Sequence, residues 1–173
     1  MSEDSTERDM RDLLGRLLER HGRALELFAR QYCDSPEDVV QYALLKLVQQ
    51  KKRPDRVLPW LYKVVRNRAI SVSRSASRRR RRERTASQNE REWFEPSYGE
   101  QLDAQAAARA LGSLTDGQRE AIVARIWGGL TYEEIGEAVG CSSSAAHRRY
   151  TAGMEVLRER LGTECSSKKQ TDD

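Results

Sequence analysis

The stretch TYEEIGEAVGCSSSAAHRR, residues 131–149, decides how the rest of the chain is read. Thr131 followed three residues later by Glu134 is a capping box, which marks the start of a helix. Ile135, Ala138 and Val139 then recur at helical spacing and face inward. Gly140 makes a tight turn. A second helix opens at Ser143 on small residues and becomes basic. At about 100° per residue, Ala146, Tyr150, Gly153 and Leu157 fall on one side, where they pack on the helices before them. The opposite side presents Ser144, Ala145, Arg148, Thr151 and Ala152, flanked by His147 and Arg149. Small residues let a helix sink into the DNA major groove, and arginine pairs bidentately with guanine. Helix pairs of this spacing also occur in bundles that bind nothing. The basic outer face is what favours nucleic acid here.

Working outward, Thr115 and Gln118 form another capping box, opening a helix that holds Ala121, Ile122 and Ile126 and stops at Gly128 and Gly129. An alanine-rich helix at about 102–111 comes before it. Residues 102–162 thus read as a helical domain, and 163–173 as a polar, mobile tail. Residues 85–101 have no hydrophobic period, contain Pro96 and Gly99, and are acidic apart from Arg91. They read as a flexible linker whose only large apolar residues are Trp93 and Phe94.

Residues 1–84 give three more helices. The first, predicted over 7–32, carries Met10, Leu13, Leu14, Leu17, Leu18, Leu25, Phe28 and Tyr32 as one stripe. The second is announced by Ser35 as N-cap, Pro36 at its first position and the acidic pair Glu37 and Asp38. Val39, Val40, Ala43, Leu44, Leu47 and Val48 give its apolar face, and Pro54 its stop. The third is predicted from Pro59, with Trp60, Leu61, Val64, Val65, Ala69 and Val72 inward and Lys63, Arg66, Asn67, Arg68 and Arg74 outward. Of its two aromatics, Trp60 is the one expected in the core. Five arginines, Arg78 to Arg82, follow. The fold class is therefore all-α: two small helical domains joined by a flexible linker, the second with a helix-turn-helix.

Charge is unevenly placed. Residues 1–84 hold 21 Lys or Arg against 12 Asp or Glu, whereas residues 85–173 hold 10 against 15. The first half suits nucleic acid by charge alone, and the second needs a local basic patch. No apolar run approaches a membrane span, and the polar start predicts a cytoplasmic protein. Cys33, Cys141 and Cys165 are scattered, so they are expected to be reduced, and no metal or cofactor motif is visible. Nothing resembles an active site.

The residues LTDGQREAIVARIWGGLTYEEIGEAVGCSSSAAHRRYTAGMEVLRERL resemble the promoter-reading domain of extracytoplasmic-function sigma factors of bacterial RNA polymerase. SPEDVVQYALLKLV resembles that family's polymerase-binding helix, and PWLYKVVRNRAI its promoter-melting helix. The resemblance implies a sigma factor, not an enzyme, with core RNA polymerase and promoter DNA as partners. It implies polymerase contacts from Asp38, Gln41, Leu44 and Leu45, and −10 contacts from Lys63, Arg66, Asn67, Arg68 and Arg74. The −35 contacts would come from Ser143, Ser144, Ala145, His147, Arg148, Arg149 and Thr151. An anti-sigma factor or a kinase would be a further partner. Three departures stand out. Tyr42 replaces a usual glutamate, thinning the acidic patch offered to polymerase. Ser71 replaces a common aspartate. His147 and Arg148 stand where Lys and Ser are frequent, pointing to a distinct −35 sequence. A stand-alone helix-turn-helix regulator is the main alternative. An RNA-binding protein using its arginines would leave the second domain unexplained.

Overall fold

The computed structural model describes the backbone of residues 2–83 and 109–168 and the side chains of 8–79 and 109–161. Every regular element among them is helical: α1 (Ser2–Arg30), α2 (Pro36–Val48), α3 (Val57–Glu83), α4 (Asp116–Ile126), α5 (Tyr132–Val139) and α6 (Ser143–Lys168). A short helical stretch at 109–112 leads into α4. The linker predicted at 85–101, with Trp93 and Phe94, lies outside the described residues, as does most of the alanine-rich helix.

Helices α1, α2 and α3 form a bundle around Leu25, Phe28, Val40, Ala43, Leu47, Leu61, Val65 and Ala69, all nearly sealed from water. Pro36 begins α2 because its missing N–H costs nothing there. Ser35 sits at the N-cap, yet its side chain makes no capping bond. The helix ends at Val48, well before Pro54, and Val48 is exposed. Of the stripe predicted on α1, only Leu25 and Phe28 are fully buried, and Tyr32, just past the helix, is half-buried. Met10, Leu13, Leu14 and Leu17 are half-buried and Leu18 is exposed, because α1, at 29 residues, outruns the 13-residue α2.

Helix α3 starts two residues before Pro59, which the first turn tolerates. It then runs on to Glu83, so the five arginines continue the helix instead of trailing from it. The expected roles of its aromatics are reversed. Tyr62 is fully buried, edge-on to Phe28 with centroids 4.9 Å apart, while Trp60 is half-buried at the surface.

In the second half both capping boxes form as predicted, at Thr115–Gln118 and Thr131–Glu134. Buried Arg119 donates to the carbonyls of Leu111 (2.9 Å), Gly112 (3.2 Å) and Leu114 (2.7 Å), closing the preceding helical turn. Leu111, Leu114 and Ile122 pack with Tyr150, Met154 and Leu157. Ile126 is exposed beside Trp127 at the end of α4. Helix α6 continues to Lys168, so the start of the predicted mobile tail is helical.

The two helical units pack on each other. α5 lies against α3, and α4 against α1. One apolar cluster runs without a break from Phe28, Val40, Tyr62 and Val65 to Ala124, Leu130, Ile135 and Ala146. No described helix is long and apolar enough to cross a membrane, and no group of ligating side chains among the described residues is arranged to hold a metal.

Candidate nucleic-acid interface

The α5–turn–α6 unit is shaped by local chemistry. Gly140 adopts φ 76°, ψ 45°, a left-handed conformation in which a Cβ is strained. Its N–H and that of Cys141 both return to the Gly136 carbonyl at 2.9 Å. Gly136 must itself be small, since a Cβ there would come within 2.5 Å of the Cys141 carbonyl. The Ser142 hydroxyl then accepts the Ala145 N–H at 3.1 Å and caps α6. That cap was missed in the sequence, although a serine one residue before a helix is a recognisable signal.

This geometry fixes which side of α6 is open. Ala146 is fully buried and Gly153 buried, with Tyr150 and Leu157 half-covered. Ser143, Ser144, His147, Arg148 and Thr151 are exposed, with Ala145 half-exposed between them. The His147 ring meets Tyr132 edge-on at 4.8 Å, and Tyr132 in turn lies beneath the Arg125 guanidinium at 5.0 Å. Arg149 lies over Gly117 of α4, where an added Cβ would stand 3.3 Å from its chain, so it sits at the margin of the face. Arg148 is the cation at its centre.

A second basic surface lies on α3. Lys63, Asn67, Arg68 and Arg74 are exposed along it. Arg66 is turned aside and paired with Glu120 of α4. Between α2 and α3 runs a cleft of about 330 Å³ lined by Tyr42, Lys46, Trp60, Asn67, Arg68 and Ser71 among others. The Tyr42 ring lies under the Arg68 guanidinium at 4.6 Å and near the Lys46 ammonium at 5.6 Å. Aromatic faces, an amide, a hydroxyl and two cations in one cleft suit an unstacked base with its phosphate. The sequence placed Tyr42 only on the polymerase side; its ring packs toward the basic surface of α3.

On α2, Asp38 and Gln41 are exposed and Leu45 is 60% exposed. Leu44, named with them from sequence, is 8% exposed and belongs to the core. One residue, or about 100° around the helix, separates the two leucines, and the core takes the inner one.

The matched family models fall on these two surfaces. Residues 17–82 match sigma-70 region 2 and residues 110–159 match sigma-70 region 4, together about two thirds of the chain. The fold is similar to the sigma factor RpoE from Bartonella quintana, solved in complex with the anti-sigma factor NepR. The two are 26% identical over 87% of this chain and 97% of that one, with a TM-score of 0.69. This chain is an extracytoplasmic-function sigma factor. It is also similar to CnrH, solved with the cytosolic domain of CnrY, at 26% identity, 86% and 87% coverage, and a TM-score of 0.56. No curated protein sequence matches it. As an RNA polymerase sigma factor it belongs to a family of non-enzymatic transcription initiation factors. A stand-alone regulator is not favoured, because it accounts for only one of the two matched regions.

Proposed function

We propose that this sigma factor contacts the −35 element through α6 and the −10 element through α3, and docks on core polymerase through α2. In this reading residues 1–84 are the polymerase-binding and promoter-melting domain, 85–101 the linker and 102–162 the −35 domain. The observation that supports it best is the pair of separate basic surfaces, one on each matched region. Arg148 and Ser144 would read base edges, with His147 and Thr151 beside them. Lys63, Asn67, Arg68 and Arg74 would hold phosphates and the displaced strand, with the Tyr42 and Trp60 cleft beside them. Asp38, Gln41 and Leu45 would meet polymerase, while Leu44 supports them from the core. The protein would act in the cytoplasm, and an anti-sigma factor is a fitting inhibitor, since the similar RpoE structure is of a sigma factor held by one.

The test is a titration of labelled protein with bacterial core RNA polymerase, followed by transcription from a matched promoter library. One-to-one binding and selective initiation are expected. Binding of duplex DNA with no affinity for polymerase would sink the proposal. Asp38→Ala should weaken polymerase binding with the helix content unchanged.

A further inference from the structure

A buried carboxylate joins the two helical units. Glu120 of α4 is 2% exposed. It accepts hydrogen bonds from the Tyr32 hydroxyl, just past α1, and from Arg66 Nε on α3. A carboxylate removed from water is costly unless it is paired and hydrogen-bonded. These two partners of Glu120 come from the other unit, so it has them only while the units stay together. The contact around this network is close and apolar. Tyr62 is fully buried, its hydroxyl has no hydrogen-bond partner among the described residues, and a Cβ on Gly128 would collide with it. At the rim, Arg56 reaches Glu133 (3.0 Å), Glu134 (3.4 Å) and Glu137 (3.5 Å) on α5.

This arrangement conflicts with promoter binding in two ways. The guanidinium of Arg66 is neutralised by Glu120 and so is not offered to a DNA phosphate. Distance is the second conflict. Elements centred at −10 and −35 lie about 25 base pairs apart, or about 85 Å at about 3.4 Å per pair. A compact chain of 173 residues has a radius of gyration of about 16 Å. Surfaces held together in such a body do not reach both elements.

We propose that Glu120, Tyr32 and Arg66 form a clasp that keeps the free sigma factor closed, and that engagement of core polymerase requires the clasp to open. The proposal rests on the sigma-factor reading above. Only the open fraction binds productively, so the apparent dissociation constant is the intrinsic one divided by that fraction. Loosening the clasp must therefore tighten binding. Glu120→Gln removes the charge that holds Arg66 and leaves Arg66 itself free for DNA.

The experiment compares the full-length protein with Glu120→Gln by small-angle X-ray scattering of the free chain and by titration with core polymerase. A larger radius of gyration and at least about fivefold tighter binding are expected, fivefold being the low end of typical coupling between sites. Circular dichroism should show the same helix content. Should the variant lose helix, Tyr32→Phe, which deletes one hydrogen bond, takes its place with a smaller effect in the same direction. A variant as compact as the parent, or one that opens without gaining affinity, overturns the proposal. If neither protein binds polymerase, the proposed docking through α2 fails, and the scattering alone decides whether the clasp exists.

Discussion

The ring of Tyr42 on α2 supports the guanidinium of Arg68 on α3 at 4.6 Å. A cation over an aromatic face is held by the ring quadrupole, with about 0.5–2 kcal/mol at stake depending on exposure. Arg68 is exposed, so the lower end applies. Tyr42 thereby fixes the direction of a cation that would otherwise sweep freely along the edge of the cleft. We expect Tyr42→Ala to weaken holoenzyme binding to DNA carrying a single-stranded −10 segment by about two- to fivefold, consistent with about 0.5–1 kcal/mol. Binding to a duplex carrying only the −35 element should be unchanged. Equal loss on both probes would mean that Tyr42 acts through the fold and not through Arg68.

Arg148 stands exposed at the centre of the open face of α6, with no residue of α4 or α5 holding it among the contacts described. A bidentate contact from such an arginine discriminates one base pair by about 1–3 kcal/mol. Arg148→Ala should therefore flatten preference at one −35 position and leave the others intact, as read by binding across a set of single-base variants. Uniform loss at every sequence would assign Arg148 to phosphate instead.

Glu134 carries a pH-dependent share of stability. Burial by itself would raise its pKa, but the Thr131 N–H and hydroxyl and the Arg56 guanidinium outweigh it, so the net shift is downward from 4.5. A lowered carboxylate pKa means the unfolded state binds the proton first. The stabilisation is therefore complete above pH 4.5 and is lost as pH falls through the folded-state value. Glu134→Gln keeps a capping-box side chain but no charge. It should cost about 1 kcal/mol at neutral pH, and the gap should close as the solution is acidified. Chemical denaturation at several pH values measures this; a gap independent of pH would assign the effect to shape alone.

What the sequence disclosed, and what it hid, follows from distance along the chain. Both capping boxes and the Gly140 turn depend on residues within four of one another, and they were legible. The exposed face of α6 was legible for the same reason, once Ala146 fixed its phase. Tyr62 and Trp60 were misjudged because residues two apart lie on nearly opposite faces of a helix, and α3 is covered by α1 on one side and by the second unit on the other. Nothing in the local pattern reveals that second cover. Glu120 was invisible on the same grounds, since Tyr32 and Arg66 lie 88 and 54 residues away. The arginine run was read as following the helix, although arginine is a good helix former and α3 simply continues through it.

Arg119 is expected to be the most stability-critical cation of the second unit. It is 8% exposed, and its guanidinium serves the carbonyls of Leu111, Gly112 and Leu114. Burial, the largest influence, lowers its pKa, and Asp116 at 3.5 Å only partly opposes this. The planar fork meets several acceptors at once, which a lysine ammonium does not reproduce. Arg119→Met would fill much of the space but leave buried carbonyls without donors, a loss of about 3 kcal/mol. Arg119→Lys should recover only part of it. Urea denaturation should show a lower midpoint with an unchanged slope, since the surface exposed on unfolding is the same. Asp116→Asn is the control: that carboxylate is 74% exposed, and its removal should move the midpoint little. If Asp116→Asn matched Arg119→Met, the ion pair rather than the carbonyl cap would hold this corner together.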